Sequence, residues 1–406
     1  MSIGEAAAAA EHPEPRADSR LWPITRYFLK LGTVGFGGPA ALVGHMHRDL
    51  VERRRWVDED TFRLALGLAQ IMPGPLAAQA AIAIGYFQVG VPGATLVGLA
   101  FVLPSFLMVI ALSMAYVAFG GLWWMQALFY GIGAAVIAII AIAAYRLSRS
   151  TNKRDPLLWG IFSVLAIATA WLQAELADLF LGAGLLVLVA RAWPGWPRAL
   201  AIGLACVILG ALAWGIEAWA RGESTADGHV LVQILLFFTK AGAFVFGSGL
   251  AIVPFLSQGV VNQYGWLTEH QFLDAVAVAM ITPGPVVITV AFIGYLVAGV
   301  PGATLAALGI FLPVYVFTII PAPWFKRHQN NAQLKAFVQG ATAAATGAIA
   351  GAVVVLATRS IFDLPTALIG LVSLVLLWRF KLQEPILVTA AGLAGLVIWP
   401  LVSGGR

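Results

Sequence analysis

The groups in this chain best suited to chemistry are backbone N–H groups freed where helices are forced to stop. Glycine and proline cluster at Phe36-Gly37-Gly38-Pro39, Pro73-Gly74-Pro75, Phe246-Gly247-Ser248-Gly249 and Pro283-Gly284-Pro285, each within an otherwise apolar stretch. No helix passes through Pro-Gly-Pro unbroken, because proline lacks an N–H and restricts the residue before it. Helices that restart after Pro39, Pro75, Gly249 and Pro285 present unpaired N–H groups carrying partial positive charge, and such ends bind oxyanions. Lys30 and Lys240 each stand six residues before a Phe-Gly break and could supply a full positive charge. Snorkelling of the two lysines to the membrane interface is the alternative. Gln70, Gln79, Thr282 and Thr289 flank the Pro-Gly-Pro segments, placed to donate to an anion or to a neighbouring helix.

Other chemistries find less support. His45, His47, His270 and His328 fall in loops or at helix ends without metal-ligand spacing, so no metal is expected. Glu59, Glu269 and Asp274 stand at the entrances of short helices, where they could carry protons or simply complement the helix dipole. A single cysteine, Cys206, excludes a disulfide framework. The sequence has no HExxH, GxSxG, Walker loop or dinucleotide-type glycine fingerprint, so neither an enzyme nor a cofactor is expected. With no nucleotide-binding loop, any work the chain does would draw on an ion gradient or on a solute's own gradient.

The elements that must hold these breaks are membrane helices. Of 406 residues, 60% are hydrophobic and 11% charged, against about a quarter charged in a soluble domain. Uncharged runs such as Leu157 to Gln173, Ala199 to Ile216 and Ile386 to Val402 recur, near the length that crosses a bilayer. They lack the period of two that marks a membrane β-barrel. The expected fold is all-α: a polytopic transmembrane bundle in contact with lipid. The formal charge of +5 is concentrated in short loops, which reads as topology information rather than a nucleic-acid surface. Residues 1–22 form a polar tail without the basic and apolar regions of a cleavable signal peptide. A bacterial inner membrane is the expected location.

The chain repeats itself. Pro73-Gly74-Pro75 returns 210 positions later as Pro283-Gly284-Pro285, and in the same register Phe36-Gly37 matches Phe246-Gly247, Trp56 matches Trp266, Glu59 matches Glu269 and Lys30 matches Lys240. Downstream the offset is 209, with Val91 to Thr95 (VPGAT) matching Val300 to Thr304 (VPGAT). Gene duplication follows, with a first repeat at 23–154, a linker of about three membrane helices at 155–229 and a second repeat at 230–406.

Charge orients the two repeats oppositely. The segment His45 to Trp56 carries Arg48, Arg53, Arg54 and Arg55, while its counterpart Phe255 to Trp266 carries no Lys or Arg. Conversely, Lys326, Arg327 and Lys335 mark a second-half loop whose counterpart, Ala118 to Gln126, is uncharged. Since positive loops stay cytoplasmic, the halves are expected to be inverted-topology repeats with a substrate site near the midplane. Only about 13 to 15 residues fit on either side of the first Pro-Gly-Pro, too few to span a bilayer. Broken half-helices meeting inside the membrane are therefore expected.

The constellation FGGPAALVGHMHRDLVERRRW from Phe36 to Trp56, with QIMPGP from Gln70 to Pro75 and the later VPGAT, resembles the chromate ion transporter family in its long-chain, two-domain form. The second-half break FGSG departs from FGGP, which points to diverged roles. The resemblance implies chromate as cargo, export from the cytoplasm, resistance to chromate and coupling to the proton motive force. Sulfate or another oxyanion is the alternative cargo, and a membrane-embedded enzyme or scaffold the alternative class.

Overall fold

The computed structural model describes residues 17–36, 38–119, 123–172, 177–193, 227–243, 246–247, 249–328, 331–361, 363–380 and 382–403. Gly37, Ser248, Cys206 and the third apolar run of the linker lie outside the described residues.

Helix α1 (Ala17–Val34) runs to the first break, and α2 (Pro39–Met46) leaves it and widens into a π turn over His47–Arg53. The N-cap of α3 (Glu59–Ile71) is Asp58, whose Oδ1 accepts the Thr61 N–H at 2.7 Å. After Pro73–Pro75 come α4 (Leu76–Phe119), α5 (Trp123–Asn152), α6 (Pro156–Leu172) and α7 (Ala177–Arg191). The second half repeats this order. It contains α8 (Asp227–Ala243), α9 (Val253–Ser257) with a π turn over Gln258–Gln263, and α10 (Glu269–Ile281). It continues through α11 (Thr289–Ile319), α12 (Ala322–His328), α13 (Ala332–Ser360), α14 (Leu364–Val375) and α15 (Glu384–Ser403).

Local chemistry repeats along with the elements. Thr268 caps α10 at the position where Asp58 caps α3, in a reciprocal capping box with Gln271. The chain takes positive φ at Gly74 and Gly284 in the two Pro-Gly-Pro segments, and at Gly90 and Gly299 just before the two VPGAT segments. At Gly90 (φ 71°, ψ −152°) α4 folds back on itself, bringing Gly85 against Gly93. The arm over 76–89 rises only roughly 20 Å; the arm over 91–119 is long enough for a full crossing.

Five helices among the described residues are long and apolar enough to cross a membrane: Leu76–Phe119, Trp123–Asn152, Val286–Ile319, Ala332–Thr358 and Glu384–Val402. Their outward faces are apolar, with Leu107, Leu308, Val354, Val397 and Leu401 all more than half exposed. A surface of that kind has lipid as its natural solvent. The chain is a helical membrane protein, and its one described strand pairing spans two residues per strand.

Packing between elements crosses from half to half. Helix α1 lies on α4 and α8 lies on α11, while α4 and α11 face each other. Beyond that pair, α5 is flanked by α14 and α15 of the second half, and α13 by α6 and α7. Each of these contacts has a counterpart with the halves exchanged. The largest buried cluster lies around α5, α8, α10 and α11, and a second around α1 to α4.

Candidate functional site

The breaks from the two halves meet each other. Gly74 and Pro75 form a short strand, β1, parallel to β2 (Phe246–Gly247), with Gly74 opposite Phe246. With the halves exchanged, the Gly284 N–H donates to the Gly35 carbonyl at 3.0 Å. Ser105 of α4 secures the same place: its buried hydroxyl is 2.7 Å from the Pro283 carbonyl and 3.3 Å from that of Gly32. Gln79, fully buried, clamps the first Pro-Gly-Pro by donating from Nε2 to the Pro73 carbonyl at 2.7 Å. Its Oε1 has no hydrogen-bond partner among the described residues.

A cavity of about 910 Å³ opens beside this junction, lined by the start of α2 at Gly38 and Pro39, the first residue of α4 at Leu76, and Gln70 of α3. The opposite wall comes from α5, α13 and α15, with Arg146, Lys153, Gln339, Thr342 and Glu384. A second space of about 380 Å³ shares Gln70 and Gln339 and adds Lys335. No side chain caps α2, so its positive end is open to the cavity. Arg146 is anchored by donation from Nη2 to the Leu377 carbonyl at 3.2 Å. The Glu384 carboxylate lies at the head of α2, with Oε1 3.6 Å from where a Cβ on Gly38 would stand.

The structure thus brings Gly38, Pro39 and Gln70 together with the helix that follows Pro75. Pro73, Gly74 and Pro75 shape the junction without lining the cavity, and Phe36 is 41% exposed. The second-half break is placed differently. Pro283, Gly284 and Pro285 are buried, and the chain leaves Gly249 and Pro285 in short 3-10 turns, Gly249–Ile252 and Val286–Ile288, before α-helix resumes. The hydroxyls of Thr282 and Thr289 donate to the nearby carbonyls of Ala279 and Val286. Lys30 is exposed, and Lys240 is half-buried with Nζ 5.9 Å from the Phe255 ring centroid; neither lines the cavity. Glu59 pairs with His47 at 2.8 Å and Arg63 at 2.9 Å. Asp274 is buried and accepts a hydrogen bond from Tyr116 at 2.7 Å. Among the described residues no three His, Cys, Asp or Glu gather as metal ligands.

Sequence reasoning missed Arg146, Lys153, Gln339, Thr342 and Glu384. The available signal was an arginine at the end of a long apolar run, Ile132 to Ala144, and a lone glutamate at the head of another.

The family model described as chromate transporter matches the chain twice, over residues 22–216 and 232–396. A chromate transport protein of Cupriavidus metallidurans is 57% identical over 397 residues, covering 98% of this chain and 97% of the relative. A probable chromate transport protein of Synechococcus elongatus is 56% identical over 383 residues, covering 93% and 95%. A chromate transport protein of Pseudomonas aeruginosa is 33% identical over 394 residues, covering 92% and 91%. No solved structure matches the chain. The relatives are named as transport proteins, and with two family matches spanning a helical membrane fold, this chain belongs to the chromate transporter family.

Proposed function

We propose that the protein carries chromate across a bacterial inner membrane, outward from the cytoplasm and at the expense of the proton motive force, with the cavity beside the first-half breaks as its anion site. The observation that carries this reading is the convergence of the α2 and α4 N-termini with Arg146 and Lys153 on one cavity. A helix end is worth about 2 kcal/mol at most, whereas the effective cost of burying an ion is several kcal/mol per charge. Helix ends alone would not hold a dianion. Two cationic side chains on the facing wall make up the difference, and Gln70, Gln339 and Thr342 offer neutral donors.

The same reading treats the halves as inverted-topology repeats, with α3 and the 76–89 arm as half-helices that enter the membrane and stop at Pro-Gly-Pro. The swap of positive loops, the short arms and the exchanged contacts between halves support it. We also infer that each repeat extends beyond the boundary at 154, because α6 and α7 occupy on α13 the places that α14 and α15 occupy on α5. The double match of the family model, whose first part runs to residue 216, supports the same division. Lys30 and Lys240 then stand outside the anion site.

The test is chromate uptake into everted membrane vesicles, with and without a protonophore and with excess sulfate. Protein-dependent uptake abolished by the protonophore is the expected result. Sulfate competition would broaden the cargo to tetrahedral oxyanions as a class. No uptake above a vector control, with the protein correctly inserted, removes chromate as cargo.

A further inference from the structure

One buried pair has no place in the anion site. Asp274 of α10 is 9% exposed, and its Oδ2 accepts the hydroxyl of Tyr116, near the end of α4, at 2.7 Å. The ring of Tyr116 meets Phe129 and Phe292 edge-on, at centroid distances of 5.5 and 5.1 Å. The surroundings are thus apolar. On the elements packed against α10, the titratable side chains are Tyr86 and Tyr116 of α4, Tyr130, Tyr145, Arg146 and Arg149 of α5, Tyr295 and Tyr315 of α11, and Glu384 of α15; Glu269 and His270 lie on α10 itself. Tyr116 is the one that hydrogen-bonds Asp274, and no cation pairs with the carboxylate among the described residues.

The internal repeat provides a control within the same molecule. At an offset of 210, Asp274 corresponds to Leu64, and at 209 Tyr116 corresponds to Phe325. Leu64 on α3 packs against the apolar cluster that contains the buried Phe325 of α12. The same junction of helices is therefore built twice, once with Phe and Leu and once with Tyr and Asp. An ionised carboxylate in such a place is costly, and apolar replacements of buried polar groups are often neutral or stabilising. Packing does not require the polar version, since the first half does without it. Its retention in one half alone calls for a function that needs a single group able to gain and lose a proton.

We propose that Asp274 is the proton-carrying carboxylate of the transport cycle, with Tyr116 holding its ionised form. The inference rests on the transport reading above. In the cycle, the Asp274 carboxylate takes up a proton from the acidic side and releases it as a proton to the opposite side. Tyr116 keeps its own proton throughout, donating it to Oδ2 when the carboxylate is charged. Half-buried and three residues from the end of α4, Tyr116 links the buried carboxylate to the helix end. With Leu64 and Phe325 at the corresponding positions, the proton path runs through α10 and α4 and has no mirror image at that junction.

The experiment compares two assays in vesicles: accumulation of chromate driven by a pH gradient, and exchange of labelled for unlabelled chromate with no gradient. Asp274→Asn should lower accumulation at least about tenfold, leave exchange within about twofold of wild type, and flatten the pH profile of exchange. Asp274→Glu should restore part of the accumulation, a rescue that a purely structural role would not give. The apolar mimic, Asp274→Leu with Tyr116→Phe, should reach the membrane at normal abundance and melt no lower than wild type. Full gradient-driven accumulation by Asp274→Asn overturns the proposal, as does equal loss of accumulation and exchange. Wild-type protein that exchanges no chromate overturns the transport reading itself and this inference with it.

Discussion

Arg146 and Glu384 put opposite charges on the same wall of the cavity, and what happens when either is neutralised follows from Coulomb's law. Removing the cation with Arg146→Ala should cut chromate uptake at least about tenfold, the equivalent of about 1.4 kcal/mol. Arg146→Lys should restore it only in part, because an ammonium cannot offer the paired donors of a guanidinium. Glu384 holds negative charge at the head of α2, where an anion must approach. Glu384→Gln should therefore lower the apparent KM for chromate severalfold, read from uptake rates against concentration. Gly284→Ala should deplete folded protein, since its Cβ would collide with the Ser105 hydroxyl at a positive φ of 100°; thermal melting in detergent checks this. At this scale the backbone part of the site was legible, because Gly38, Pro39 and Gln70 stand next to motifs that physically cannot continue a helix. The cationic wall was not legible. Arg146 and Glu384 lie more than two hundred positions apart in the sequence, and no local periodicity relates one to the other.

Helix starts and breaks are the next level, and here sequence and structure agree most closely. Asp58 caps α3, and the Thr61 backbone N–H holds its carboxyl below the usual aspartate range. Asp58→Ala should cost about 1 kcal/mol, measurable as a lower melting temperature. A depressed folded pKa means that this stabilisation is fully present above the unfolded value of about 3.9 and is lost as pH falls through the lower folded one. The wild-type advantage over Asp58→Ala should therefore vanish in strong acid. Both Pro-Gly-Pro segments interrupt helix as expected, and both VPGAT segments follow a glycine in the left-handed region, at Gly90 and Gly299. The fold-back at Gly90 was hidden, because the residues around it are mostly small or apolar and give no sign of which face meets which. The burial of the second-half break was hidden as well. It depends on Ser105, which the other repeat replaces with Val314.

Over the whole molecule, the swap of positive loops makes a geometric demand. With Cys206→Ala as background, cysteines introduced in the segment Phe255 to Trp266 should label from outside the cell, and those placed from Lys326 to Lys335 from the cytoplasm. Labelling of both from one side would remove the inversion while leaving the duplication intact. The duplication was legible because paired motifs keep one register over long stretches, and the membrane class because apolar runs are long. Which helix lies beside which was not, since the middle stretches of α5 and α13 are small and apolar all round and lipid-facing and protein-facing positions look alike in composition. That exchanged packing bears on how the chain is made. Helix α5 is synthesised more than two hundred residues before α14 and α15, the helices that flank it, so lipid must cover those surfaces while the ribosome completes the second half. The first half is thus inserted before it is assembled, and its final structure waits on helices at the far end of the message. A chain interrupted before α14 would leave in the bilayer a set of helices whose missing neighbours only another copy of the protein could provide.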